Sequence, residues 1–125
     1  MPTQLQNSSG EYVTVESGES CNLSGTLKAA TGATVTTITA LTITLFDETT
    51  GAIINSRDSQ DVNGANGGTF SSGDFTIALD SADTTAVGEL EDTKSQNRIA
   101  RIEFTYYDGD TTRKGIEEFF FPVYK

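Results

Sequence analysis

The sequence predicts an all-β fold in which two antiparallel sheets pack into one sandwich. Most apolar segments alternate apolar and polar residues, which is the pattern of strands that bury one face. Short clusters rich in Gly, Asn, Asp and Ser separate these segments, as turns require. The chain has 125 residues, which is enough for one domain, and no segment has the period of a long amphipathic helix.

The first predicted strands lie in the N-terminal third of the chain. Residues 12–15 begin an extended segment of β-branched and aromatic residues. In residues 21–27, Cys21, Leu23 and Leu27 alternate with polar residues, which indicates a half-buried strand. A lone cysteine in such a strand is typical of a small core residue, not of a reactive thiol.

Residues 38–46 give the clearest strand signal of the sequence. Leu41, Ile43 and Leu45 fall on one face and threonines on the other, and β-branched threonine favours an extended backbone. A charged turn follows this segment. We expect residues 52–57 to return as the second strand of a hairpin.

The second half of the chain repeats this alternation. Residues 63–68 predict a loop, since glycine and asparagine tolerate positive φ and bury little. Residues 75–79 and 100–106 predict strands, and a last strand follows at 116–123. Between them, residues 80–87 are a candidate for one helical turn, with Asp80 or Ser81 as its N-cap.

About seven short strands joined by turns favour an immunoglobulin-like sandwich, with a small β-barrel as the alternative. The domain is expected at residues 11–125, after a flexible N-terminal arm at residues 1–10. Its predicted core is the set of large apolar residues on the inward faces. These are Val13, Val15, Leu23, Leu27, Leu41, Ile43, Leu45, Ile53, Phe75, Ile77, Leu79, Ile102, Phe104, Tyr106, Phe119, Phe121 and Val123.

The charge balance and the missing residue types argue against several functions. Eight basic and 18 acidic residues give a net charge of −10, which disfavours binding to nucleic acid and to anionic membrane surfaces. The chain has no His and one Cys, so it lacks a histidine base and any cysteine cluster. We therefore expect no enzymatic activity, no catalytic residues and no cofactor.

One turn carries a candidate metal site. Asp108 and Asp110 flank Gly109 between two predicted strands, and carboxylate oxygens are the ligands that Ca²⁺ prefers. Asp-Gly is also a favoured hairpin dipeptide, and the ligand spacing of an EF-hand loop is not present. A structural turn is therefore the favoured interpretation.

Candidate partner contacts lie in the arm, in the glycine-rich loop and on the last strand. If Phe119 and Phe121 face the core, Phe120 faces outward, and aromatic residues are enriched at interfaces. The arm and the loop are polar segments that a neighbouring subunit can order. The candidate contact residues are Ser8, Ser9, Tyr12, Asn63, Asn66 and Phe120.

Residues 41–64, 73–83 and 101–109 resemble small virion proteins of tailed bacteriophages, which are single Ig-like domains. The resemblance is a pattern of strands and turns over roughly residues 22–123. It implies location in the virion and a structural role as a capsid decoration or head–tail connecting protein. The implied partners are major capsid, neck or tail proteins, and the implied arrangement is a homo-oligomer or many copies on a symmetric particle.

Bacterial surface domains share threonine-rich alternating strands, which leaves a second hypothesis open. On this alternative the chain is an extracellular Ig-like adhesin or carbohydrate-binding module, with Ca²⁺ at Asp108 and Asp110.

Overall fold

The structure is a computed structural model that describes residues 2–7, 9–88 and 94–124. Within these ranges the chain forms nine strands and one short helix. The elements are β1 (Thr3–Gln4), β2 (Val15–Glu16), β3 (Cys21–Thr26), β4 (Ala40–Asp47), β5 (Gln60–Asp61), β6 (Gly68–Ser71), β7 (Asp74–Leu79), α1 (Ser81–Thr84), β8 (Ser95–Tyr107) and β9 (Thr112–Tyr124).

Two separate sheets make up the fold, which confirms the predicted all-β sandwich over the barrel alternative. The larger sheet has the order β1-β9-β8-β4-β5, with β2 also paired to β9, and the smaller has the order β3-β7-β6. This distribution of strands is that of an immunoglobulin-like sandwich. Most pairs are antiparallel, but β1 and β2 run parallel to β9.

The core lies between the two sheets and follows the predicted alternation. In β4, Leu41, Ile43 and Leu45 are fully buried while the intervening residues are partly exposed. Val13 and Phe119 pack against the core but are only partly buried. The core cluster consists of Leu5, Val15, Leu23, Leu27, Val35, Leu41, Ile43, Leu45, Ile54, Val62, Phe75, Ile77, Leu79, Ala100, Ile102, Phe104, Tyr106, Phe121 and Val123.

The predicted strand at residues 52–57 and the inward position of Ile53 are wrong. Ile53 is 42% exposed and forms a single bridge with Phe46, whereas Ile54 is buried. Asn55 and Ser56 adopt positive φ angles of 53° and 56°, which turn the chain out of the extended conformation. The ladder therefore ends after one bridge.

This turn carries Arg57 into the interior, where it meets the helix. Arg57 Nε lies 2.6 Å from Asp83 Oδ1, and its Nη2 donates to Oδ2 at 3.1 Å. Asn55 Nδ2 and the Asp80 N–H also donate to the Asp83 carboxylate, at 3.0 and 2.8 Å. The Asp80 side chain accepts the N–H groups of Ala82 and Asp83, so Asp80, and not Ser81, is the N-cap of the two predicted.

Residues 3–5 are part of the folded domain. β1 pairs with β9, so that Thr3 lies opposite Phe119 and Gln4 opposite Phe120. Leu5, which falls within the predicted arm, is 1% exposed and belongs to the core cluster. Across the described ranges, no helix has the length and apolar character needed to cross a membrane.

Candidate interaction surface

An apolar row crosses the outer face of the larger sheet. Phe46 on β4 lies opposite Ile99 on β8, and Ile99 lies opposite Phe120 on β9. Because side chains alternate along a strand, these three face away from the core that their neighbours line. Ile53 extends the row through its bridge with Phe46. We call Ile53, Phe46, Ile99 and Phe120 the apolar row.

The apolar row is a second small cluster, separate from the core. Ile99 is only 3% exposed, yet it does not belong to the cluster between the sheets. Phe46 and Phe120 flank it and are half-buried, so their outer surfaces reach solvent. Directly opposed aromatic and β-branched residues stabilise a sheet, which accounts for part of their role. Their solvent-facing surface has no protein neighbour among the described residues.

Ion pairs border the apolar row on the same face. Arg101 Nε contacts Glu118 Oε2 at 3.0 Å, one outward position beyond Ile99 and Phe120. Lys114 Nζ contacts Glu103 Oε2 at 3.0 Å further along the sheet. An apolar centre beside a polar rim is the general anatomy of a protein–protein interface.

The N-terminal segment that carries the arm candidates meets β9 at Phe120 through Gln4 and Leu5. The N–H of Leu5 donates to the C=O of Phe120 at 2.8 Å, and Tyr12 is an exposed residue bridged to Gln6. Ser9 donates its N–H to Asn7 Oδ1 within the same turn. Ser8 lies outside the described residues. Tyr12 therefore pairs with the N-terminal segment two residues beyond Gln4, which lies opposite Phe120 on β9.

The loop candidates lie elsewhere, between β5 and β6. Asn63 donates its N–H to Asp61 Oδ1 at 2.9 Å, and Asn66 Nδ2 donates to the Asp61 C=O at 2.8 Å. The C=O of Asn66 accepts from Arg57 Nη1 at 3.3 Å, which ties the loop to the buried ion pair. The hydrogen bonds described for Asn63 and Asn66 do not connect them to Phe120 or to the arm.

The turn between β8 and β9 is organised by Asp108. Its Oδ1 accepts the N–H groups of Thr111 and Asp110 at 2.8 and 2.9 Å, and its Oδ2 accepts from Arg113 Nε at 2.8 Å. The backbone N–H of Thr111, followed by the Arg113 side chain, lowers the pKa of Asp108 to about 2. Asp110 is exposed in the same turn. In the part of the chain that the structure describes, no three His, Cys, Asp or Glu side chains converge as metal ligands.

Sequence reasoning found Phe120 but missed its partners on the apolar row. Phe46 follows Leu45 directly and therefore falls on the face opposite to Leu41, Ile43 and Leu45. This position in the sequence already indicated that Phe46 faces outward. Ile99 precedes the segment predicted as a strand, so nothing in the sequence aligned it with Phe120.

Chemically, this surface offers an apolar area with a charged border, which suits burial against another macromolecule. No protein-family model, curated protein or solved structure matches this chain, so its assignment depends on the geometry and chemistry of its own residues.

Proposed function

We propose that this chain is a non-enzymatic structural protein of a tailed-bacteriophage virion, either a capsid decoration or a head–tail connecting protein. It binds the assembled particle through the apolar row. The observation that carries the proposal is the solvent-facing surface of this row on the outer face of the larger sheet. The resemblance of its strand and turn segments to virion proteins of this kind supports the same assignment.

Binding of this kind stabilises the particle by linkage. A protein that binds the assembled state and not the separate subunits shifts the assembly equilibrium toward the particle. On a symmetric lattice the same modest contact is repeated in every copy. The net charge of −10 on each chain opposes self-association of free copies.

Two matched substitutions test this surface. Ile53 and Val87 are aliphatic and similarly exposed, at 42% and 39%, but only Ile53 belongs to the apolar row. Val87 instead lies near Gln96, to which its backbone is hydrogen bonded. Ile53→Asp places a charge in the proposed contact, whereas Val87→Asp adds the same charge outside it.

The measurement is co-sedimentation of the chain with assembled particles and, separately, with unassembled capsid protein of the phage that encodes it. We expect saturable binding to particles only, weakened about tenfold or more by Ile53→Asp and unchanged by Val87→Asp. Absence of binding to heads, necks and tails, or equal binding by both variants, overturns the proposal. Saturable binding to an immobilised glycan that Ile53→Asp leaves intact favours the adhesin alternative instead.

A further inference from the structure

The outer edge of β3 is unpaired, because β3 ends the order β3-β7-β6 in the smaller sheet. The N–H of Leu27 donates to the C=O of Gly73 at 2.9 Å, so Leu27 and Gly73 form a hydrogen-bonded pair. Hydrogen-bonded and non-hydrogen-bonded pairs alternate along an antiparallel ladder, so every second residue of β3 is bonded to β7. The backbone N–H and C=O groups of Asn22, Ser24 and Thr26 consequently point away from β7. Among the described residues, no hydrogen bond uses these groups.

A groove of about 910 Å³ is lined by β3 together with the start of β7 and part of the N-terminal segment. One wall consists of β3 and the start of β7, and the other consists of Gln6, Asn7 and Val13 from the N-terminal segment. A space with two walls accepts a single extended chain.

The position beside β3 is one that immunoglobulin-like sandwiches commonly fill. In constant-type domains the first strand pairs with the second strand of the fold and completes a four-stranded sheet. Here β1 and β2 pair with β9 in the other sheet. The smaller sheet therefore has three strands and a vacant lateral position next to β3.

The β3 edge also lacks the usual protection against pairing. Natural edge strands carry charged residues, proline or bulges that prevent a further strand from adding. The sequence of β3 is CNLSGT, which has no charge and no proline, and its six residues pair with β7 in continuous register.

The lining of the groove indicates the chemistry of its occupant. Asp74 is the ionisable carboxylate of the lining, its Oδ1 accepts from Thr26 Oγ1 at 2.8 Å, and no Lys or Arg lines the groove. Val13 and Cys21 are partly buried at its inner side. A strand with apolar residues toward Val13 and Cys21 and a cationic residue near Asp74 complements these features.

We propose that this groove binds an extended segment of a partner protein as an added β-strand. The backbone groups of Asn22, Ser24 and Thr26 hydrogen bond to the segment, and Asp74 pairs with a Lys or Arg of it. This site lies on the smaller sheet, opposite the apolar row, and does not depend on the proposed virion role.

The test uses a fluorescein-labelled peptide of alternating valine and threonine with one central lysine, titrated with the chain and followed by anisotropy. We expect saturable binding that Ser24→Pro weakens about tenfold or more, because proline removes an edge donor without affecting the ladder to β7. Ser24→Thr retains the donor and is the matched control. Asp74→Asn weakens binding up to about fivefold, and a glutamate version of the peptide binds more weakly than the lysine version.

A peptide N-methylated on its pairing edge tests the same hydrogen bonds on the unaltered chain, independently of how Ser24→Pro folds. We expect it to bind at least about tenfold more weakly. No saturable binding of the lysine peptide overturns the proposal, and so does equal binding of the N-methylated peptide. A concentration-dependent dimer that Ser24→Pro abolishes, measured by sedimentation equilibrium, also overturns it, because the occupant is then a second copy.

Discussion

The buried pair between Arg57 and Asp83 allows a quantitative prediction about stability. Its side chains are 6% and 0% exposed, and Asp83 accepts hydrogen bonds from Arg57, Asn55 and the Asp80 backbone. Asp83→Asn preserves the shape of the side chain but removes the charge that Arg57 requires. Breaking a buried pair by altering one partner costs about 3–5 kcal/mol, since the other charge stays buried without its partner.

Arg101 and Glu118 supply the control, because they form the same kind of contact at the surface. Their distance is 3.0 Å against 2.6 Å for the buried pair, but their side chains are 45% and 25% exposed. Exposed pairs contribute about 0–1 kcal/mol. Glu118→Gln is therefore expected to reduce the free energy of unfolding by less than about 1 kcal/mol.

Urea unfolding followed by circular dichroism measures both variants. The loss for Asp83→Asn corresponds to a fall in Tm on the order of 10–20 °C for a chain of this size. Raising NaCl from about 0.05 M to about 0.5 M should reduce the cost of Glu118→Gln but leave that of Asp83→Asn nearly unchanged, since buried pairs are screened less.

Asp83→Asn removes the carboxylate and leaves the Arg57 guanidinium buried without a partner. The double variant Arg57→Met/Asp83→Asn removes both charges of the pair. We expect it to be more stable than Asp83→Asn alone, because methionine leaves no unpaired buried charge. The reasoning is refuted if Asp83→Asn costs no more than Glu118→Gln. It is also refuted if the double variant is destabilised by the sum of the two single effects.

Three further predictions concern the core, the thiol and the β8–β9 turn. A methyl group at Gly115 would overlap the ring of Phe104, so Gly115→Ala should lower the free energy of unfolding by about 1–3 kcal/mol in urea titration. Burial raises the pKa of Cys21 from 9.0 to about 11. Iodoacetamide should therefore react more slowly at pH 8 with the folded chain than with the unfolded chain. The free energy of unfolding should also fall as the pH rises above 9, because the thiol then ionises more readily in the unfolded chain. The pKa of Asp108 near 2 predicts a midpoint at that pH when its carboxylate is titrated by NMR. The stabilisation by the ionised Asp108 side chain should be complete above its ordinary pKa of 3.8 and lost as the pH falls through about 2. EDTA should leave Tm unchanged, because both carboxylate oxygens of Asp108 already accept hydrogen bonds; a fall of several degrees would favour the Ca²⁺ alternative.

Local signals account for the parts of the fold that the sequence could predict. The alternation of Leu41, Ile43 and Leu45 determines which face of β4 is buried, since side chains alternate on a strand whatever its partners. The N-cap could be narrowed to Asp80 or Ser81, because a capping side chain meets the backbone donors of its own helix, as Asp80 does. Neither inference requires knowledge of distant residues.

Long-range pairing explains what the sequence could not predict. Ile53 and Ile54 are chemically equivalent, and which of them is buried depends on the turn at Asn55 and on Arg57 reaching Asp83. Similarly, the apolar row exists only because the register of three strands aligns Phe46, Ile99 and Phe120. The periodicity of one segment contains no information about the register of the next.

The parallel pairing of β1 and β2 with β9 has a mechanical consequence. Tension applied between the two ends of the chain pulls the start of β1 and the end of β9 in opposite directions along one common axis. The hydrogen bonds between them are then loaded in shear and must break together, whereas a hairpin pulled at its open end separates one bond at a time. The pairing of β1 and β2 with β9 therefore resists stretching along this axis.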